Sequence, residues 1–357
     1  MKKVMIIIPA LGSGGGERLA VSIISKMNKQ KFKTKLVVLY PYCQTDNAEF
    51  VKREKIDTVY LDKKRGLDLK VISLLKKEIN EFNPDIIQTH LYVVAYVLLA
   101  SPRKIIKYHT VHNVAEKEAT GVRRFINFIA FHFGNFTPVA ISPYCAKTIE
   151  KVYHIKRERI PCINNAVDIQ KYYPNRVQHE GIRLINIGRL QPQKNQKLLL
   201  RVFSKVNKEI PNTFLQIVGE GELKNELQEL AKELDIENKV YFAGQCSDVN
   251  IRLNSSDIFI QTSDYEGLPI SALEAMACGL PLISTAAGGT VDIVENGVNG
   301  YIVGIGDEDE LVDRTISLVK NKQLQLKMGQ ASRRMALDYK IEECAEEYES
   351  LYAPNEC

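Results

Sequence analysis

Two glutamates eight residues apart, Glu266 and Glu274, lie either side of a Gly-Leu-Pro step in the stretch SDYEGLPISALEAMACGLPLIST. The first falls in a loop leaving the strand-like run DIFIQTS. The second falls on a helix otherwise made of Leu, Ala, Met and Cys, with Gly267 and Pro269 suited to its cap and first turn. At a rise of ~1.5 Å per residue the two carboxylates stand ~9–12 Å apart. A glycosidase pair flanks one bond at ~5–9.5 Å, so this spacing is wide for that chemistry. It suits two hydroxyl-rich ends of one long ligand with a diphosphate between them. Glu274 on an apolar helix needs a partner, which a ribose diol or a buried Arg or Lys would supply.

Two cations have a matching position. In IGRLQPQKNQ, Arg189 and Lys194 follow a strand and precede a helix, where a guanidinium fork and an ammonium point charge form a receptor for a phosphate group. Solvated surface charge is the alternative. A third feature is GSGGGERLA after the first strand, whose glycines, Gly15 and Gly16 among them, let backbone N–H groups approach an anion at a helix start; a simple tight turn is the alternative. It is not a dinucleotide fingerprint, because Glu17 occupies the last glycine position and no acid ends the second strand. DED at 307–309 resembles a metal-binding DxD but reads better as acids in the first turn of a helix. No metal site or cofactor is expected, since the seven cysteines form no CxxC pair; their odd number also argues against a disulfide framework and for a reducing cytosol.

The elements that must position these residues form a repeated βαβ grammar. KVMIII, TKLVVLY, DTVYL, DIIQTH, KIIKYHT and FTPVAIS read as strands of a first half, with helices near 16–28, 69–81, 92–100, 121–133 and 143–152. IRLINIG, TFLQIVG, KVYFAG, DIFIQTS and PLIST repeat the pattern, with helices near 194–208, 222–234, 268–277 and 309–320. The expectation is an α/β protein of two doubly wound domains facing across a cleft: 1–172, 173–340, and a C-terminal helix within 341–357 that returns to the first domain. At 357 residues the chain suits two such cores. No apolar run reaches the ~20 residues of a membrane span, and the opening MKKVMIIIPALGSGGGE reads as a buried strand instead of a leader. Residues 1–170 carry 28 Lys and Arg against 15 Asp and Glu, so the first half is strongly basic and the second acidic. An anionic partner for the first half follows, a membrane surface before nucleic acid, for which no signature is present.

GRLQPQKN, VGEGELKNEL, VYFAG, SDYEGLPISALEAMACGLPLIST and GGTVDIVENGVNGYIV together resemble glycosyltransferase family 4, the retaining group with the two-domain GT-B fold and an EX7E motif. GGGERLA, DIIQTHL, AISPYCAKTIE and NNAVD extend the resemblance over nearly the whole chain. It implies that Glu266 contacts the donor sugar, Glu274 the nucleotide ribose, and Arg189 and Lys194 the donor diphosphate, with Gly15, Gly16, Gly267 and Leu268 lining the donor site. It implies a His beside the donor sugar too. KYHTVHNV offers His109 and His112, of which His112 is nearer the loop. The implied activity is transfer from a nucleotide diphosphate sugar, with UDP as the base, to a saccharide or lipid-linked acceptor in surface glycan assembly. A nucleotide-sugar epimerase and a non-catalytic sugar-nucleotide-binding module are the alternatives. GVRRFINFIAFHF, 121–133, has more large apolar residues than a solvated helix needs. It reads either as a core helix or as one whose Phe side chains, with Arg123 and Arg124 and the run Lys26, Lys29, Lys31, Lys33 and Lys35, meet the inner leaflet.

Overall fold

A computed structural model describes residues 1–12 and 14–353. By internal contacts the chain forms two units, Met1–Asn165 joined by the C-terminal helix that starts at Ile341, and Ala166–Lys340. In the first, β1 (Lys2–Ile8), β2 (Phe32–Val38), β3 (Thr58–Tyr60), β4 (Ile86–His90), β5 (Ile106–Val111) and β6 (Phe136–Ala140) make one parallel sheet in the order β3-β2-β1-β4-β5-β6. From Val4 to Ile8, β1 is buried at every residue, because helices cover both faces of the sheet and an alternating pattern would put polar groups inside. The chain winds outward from β1 to β3, then restarts at β4 on the other side of β1. The carboxyl ends of β1 and β4 are therefore the switch point where such a sheet opens a crevice.

The helix Ile341–Tyr352 belongs to this unit through a chain of buried hydrogen bonds. Tyr352 OH donates to Gln88 Oε1 (3.0 Å), Gln88 Nε2 donates to Thr110 Oγ1 (2.8 Å), and Thr110 meets Tyr348 OH at 2.9 Å. Lys26 pairs with Glu342 at 2.7 Å. The helix thus brings Glu342, Glu343, Glu346, Glu347 and Glu349 onto the basic unit, so the charge asymmetry in space is smaller than along the sequence.

The second unit repeats the topology with β7 (Ile182–Ile187), β8 (Thr213–Val218), β9 (Val240–Gly244), β10 (Ile258–Gln261), β11 (Leu282–Thr285) and β12 (Gly300–Val303), in the order β12-β11-β10-β7-β8-β9. Its switch point lies between β7 and β10, whose registers pair Leu184 with Ile258 and Ile185 with Phe259. Leu184, Leu199, Phe203, Ile217, Ile260 and Ile283 are among the buried side chains that join this sheet to its helices in one core.

Three differences from the sequence reading have physical causes. Strand β12 was not expected, because GYIV is four residues long and follows a turn. The helices Asp46–Arg53, Val249–Asn254 and Lys322–Ala336 were not expected either, since their polar composition hides the apolar stripe. The contact boundary falls at Asn165 and Ala166, ahead of the expected 172: the Val167 N–H donates to the Tyr339 carbonyl (2.8 Å), and Tyr172 is buried with its carbonyl accepting from Arg333 (3.0 Å). Polarity of the linker concealed that packing.

Candidate functional site

In the second unit, the loops after β7 and β10 meet at the switch point. Strand β7 ends at Ile187, a short turn Pro192–Lys194 follows, and Asn195, left-handed at φ 47°, caps the helix Gln196–Glu209. The end of β8 braces this loop closely: a Cβ at Gly219 would stand 2.0 Å from the Gly188 carbonyl oxygen, so only glycine fits. The loop after β10 is then fastened to it. The Asp264 N–H donates to the Gln193 carbonyl (2.9 Å), Gln193 Nε2 to the Tyr265 carbonyl (2.8 Å), Asn195 Nδ2 to Asp264 Oδ1 (3.0 Å), and Thr262 Oγ1 to the Asn195 carbonyl (2.9 Å).

Glu266 stands at the centre of this join. It is 5% exposed, and its Oε1 accepts from Lys194 Nζ (2.5 Å), Ser263 Oγ (2.6 Å) and Gln261 Nε2 (2.7 Å). Three donors on one oxygen hold the carboxylate in one orientation, and the lysine stem lies along Gly188. Lys194 is therefore not a solvated surface charge. Arg189 differs: its side chain is exposed, while its carbonyl accepts from Gln196 Nε2 at 3.0 Å. Glu274 is buried at 4% exposure on the helix Ile270–Ala277, for which Pro269 is the N-cap and not, as expected, part of the first turn. Burial first, then the Glu274 charge, pushes the Cys278 thiol up to about 12. Gly267 and Leu268 are buried between the two glutamates.

In the first unit the switch point combines a buried acid, Glu17 in the first turn of the helix after β1, with a pair of imidazoles. The helix Gly15–Lys26 opens with Gly14 at its N-cap and no side-chain cap; Ser13 lies outside the described residues. Asn47 Nδ2 donates to the Gly12 carbonyl and Thr45 Oγ1 to that of Leu11, both at 2.5 Å, which pins the glycine loop. A Cβ at Gly16 would stand 3.2 Å from the His112 ring and from Leu91, so the glycine lets the helix start lie against the imidazole. His112 Nε2 and His90 Nδ1 share a hydrogen bond of 2.9 Å. Burial pushes His112 down to about 4; burial and then the neighbouring histidines push His90 well below its usual value, so both rings are neutral near pH 7. The His112 backbone N–H donates to the Glu118 carboxyl group, which burial raises to about 7. His109, the other candidate, is 1% exposed and sits deeper, with Nδ1 at 2.9 Å from Thr89 Oγ1.

Of the expected residues, the structure joins Lys194 with Glu266, and Gly16 with His112. It shows Gln261, Ser263, His90 and Glu118 as partners that sequence reasoning missed. The only signal for them was a polar residue at or after the end of a buried strand. Two other expectations are resolved. Asp307 caps the helix Glu308–Val319 by accepting from the Glu310 N–H (3.0 Å), and Glu308 pairs with Arg201 (2.8 Å), so DED works as a helix start. On the helix Gly121–Phe133, Asn127, Ala130 and Phe131 are buried while Val122, Phe125 and Phe133 are exposed. Arg124 does not extend outward as the membrane reading of this helix required: it donates to the carbonyls of Ala119 (3.0 Å) and Glu116 (2.7 Å). Lys26 and Lys35 are likewise engaged, with Glu342 and Glu78. Among the described residues no three His, Cys, Asp or Glu side chains gather as a metal would need.

Residues 13–171 match the family described as Glycosyltransferase Family 4, and residues 173–335 match Glycosyl transferases group 1. The chain belongs to glycosyltransferase family 4. This glycosyltransferase is 28% identical to an uncharacterized glycosyltransferase of Haemophilus influenzae, over 98% of its own length and 100% of that protein. It is 25% identical, over 80% of its length and 79% of the relative, to the UDP-Gal:alpha-D-GlcNAc-diphosphoundecaprenol alpha-1,3-galactosyltransferase of Escherichia coli. Among solved structures, Anabaena HepE in complex with UDP and glucose superposes with a TM-score of 0.85 at 17% identity, covering 99% of the glycosyltransferase and 100% of HepE. Its two parallel sheets are thus the two Rossmann-like domains of the GT-B fold.

Proposed function

We propose that this glycosyltransferase moves a sugar from a UDP-sugar to a lipid-linked or growing saccharide acceptor in bacterial surface glycan assembly, with retention of anomeric configuration and without a metal. The observation that carries the reading is the Lys194–Glu266 pair, held by Gln261 and Ser263 at the switch point of the second sheet. A diphosphate arriving there meets Lys194, with the exposed Arg189 as a second cation. Together they supply the charge that a divalent ion would otherwise provide. Glu266 turns to the hydroxyls of the donor sugar, and buried Glu274 takes the ribose diol. Backbone N–H groups at Gly267 and Leu268, and at Gly15 and Gly16, add donors toward the phosphates, and neutral His112 hydrogen-bonds the sugar. The bond from the anomeric carbon to the phosphate oxygen breaks, the acceptor oxygen attacks from the same face, and its proton passes to the departing phosphate.

The E. coli relative supports the choice of donor and acceptor, since its name specifies UDP-Gal and a diphosphoundecaprenol-linked sugar. HepE supports the base, having been solved with UDP and glucose. A lipid-linked acceptor needs access to a membrane. Among the described residues no helix is long and apolar enough to cross one. Exposed Val122, Phe125 and Phe133, with Arg123, make the surface through which this cytoplasmic protein touches the inner leaflet. The test is incubation with a panel of nucleotide sugars, watching for free nucleoside diphosphate with and without EDTA. UDP release from one UDP-sugar, unchanged by EDTA, is expected. Release only with Mg²⁺ or Mn²⁺, or from no nucleotide sugar, would overturn the reading.

A further inference from the structure

Three lysines that the proposed membrane surface does not use lie together at one end of the first unit. Lys29, Lys31 and Lys33 are exposed, and among the described residues none of them forms an ion pair, unlike Lys26 and Lys35. Asn28 fixes the turn that carries the first two: its Oδ1 accepts from the Gln30 N–H (2.9 Å) and the Lys31 N–H (3.3 Å). The turn sits at the amino end of the sheet, where the Lys2 N–H donates to the Lys31 carbonyl (2.9 Å), away from the carboxyl ends that open the crevice. A turn already held in shape loses little freedom when it docks.

The C-terminal helix Ile341–Tyr352 carries the opposite charge. With residues 161–163 it walls a groove of about 610 Å³, lined by Pro161, Ile163 and Leu351 and by Glu343, Glu346 and Glu347. The three glutamates are exposed and stand three and four residues apart, so they share one face of the helix. Among the described residues no cation pairs with Glu346 or Glu347, and partial burial, then Glu343, raises the Glu347 carboxyl. Carbon and carboxylate in one groove suit a lysine, whose stem is apolar and whose head is a cation.

Glu342 and Glu349 of the same helix face the basic turn instead: Glu349 Oε1 accepts from the Asn28 N–H (2.5 Å), and Glu342 pairs with Lys26. Turn and groove therefore flank a single helix within one unit. A foreign basic partner would account for the groove but not for the unpaired turn beside it. A surface that carries a knob and its complement side by side is self-complementary about a two-fold axis, which accounts for both. We propose that the partner is a second copy of this chain: about an axis running along the C-terminal helix, Lys29 and Lys31 of each copy enter the groove that Glu343, Glu346 and Glu347 line in the other. The contact is independent of the transfer reaction.

Sedimentation velocity on the full chain tests it. From about 1 to about 100 µM at low salt the protein should pass from monomer to dimer. Raising the salt from about 0.05 to about 0.5 M should weaken the dimer about tenfold or more, since the pairs are exposed to solvent. Glu346→Lys with Glu347→Lys should leave a monomer, as should Lys29→Glu with Lys31→Glu, because like charges then face each other. All four substitutions together restore the pairing with its sign reversed and should return the dissociation constant to within about fivefold of that of the unaltered chain. Such rescue separates a docking contact from damage to the fold. If a charge reversal impairs folding, Lys29→Ala with Lys31→Ala carries the test, with a dimer weakened about tenfold. A dimer indifferent to these substitutions, or a fourfold variant that stays monomeric, would overturn the proposal. So would a monomer at every concentration, which would leave the groove to a different basic partner.

Discussion

The two switch points share a topology and differ in chemistry. Between β7 and β10 the loops are cross-tied by hydrogen bonds and hold a buried ion pair, Lys194 with Glu266. Between β1 and β4 a glycine helix start lies on a pair of neutral imidazoles, His112 and His90. The same winding thus yields one crevice built on a lysine–glutamate ion pair and one built on neutral imidazoles beside the buried Glu17. A fixed cation is what a diphosphate needs, which is why the donor diphosphate is assigned to Lys194 in the second unit, with the glycine helix start and His112 of the first unit proposed to add neutral contacts to the donor.

The largest expected effect breaks the charged side. Glu266→Gln keeps a group that Gln261 and Ser263 can bond but removes the charge facing Lys194, and transfer should fall ~10²–10³-fold as for lost transition-state contacts. Circular dichroism should show the fold retained. A variant with near-normal turnover would mean that the pair is structural. On the neutral side, Gly16→Ala puts a methyl group 3.2 Å from the His112 ring, and misplacement of that ring should lower kcat about tenfold, read by steady-state kinetics. If kcat is unchanged, His112 is not a contact of the reacting sugar.

The pH behaviour sharpens the contrast further. His112 and His109 have folded values of about 4 and about 3, against 6.5 unfolded, so the stability they contribute is present above pH 6.5 and is lost as pH falls toward 4. Glu118 has the opposite sign: raised to about 7 from 4.5, it costs stability as pH rises through 7. NMR should find His90, His109 and His112 neutral down to about pH 5. Urea melts should find Glu118→Gln stabilising at pH 8 and without effect at pH 4. Titration of His112 near 6.5 would remove the neutral character of this crevice.

How far this contrast was legible in the sequence depended on the background around each residue. Glu274 was visible because a carboxylate on a helix of Leu, Ala and Met has no ordinary reason to be there, and Lys194 because it follows a strand and precedes a helix. Gln261, Ser263 and His90 sit at strand ends, where polar residues usually meet water. Only the folded chain shows them buried and aimed at Glu266 and His112. Arg124 was left open between a core helix and a membrane-facing one for the same reason, since its carbonyl partners at Glu116 and Ala119 precede the helix in the chain. The smallest expected effect concerns the surface of that helix: Phe125→Glu should weaken binding to anionic vesicles several-fold in a flotation assay, by losing apolar burial at the interface. Unchanged flotation would take this helix out of any membrane contact.

The most direct test of a diphosphate site built on Lys194, and not on the imidazole crevice, is calorimetric titration with UDP. Lys194→Ala should weaken UDP at least tenfold, a loss expected when a buried phosphate contact is removed, whereas His112→Ala should leave UDP affinity within about twofold. UDP bound equally well by Lys194→Ala, or lost in His112→Ala instead, would contradict the account.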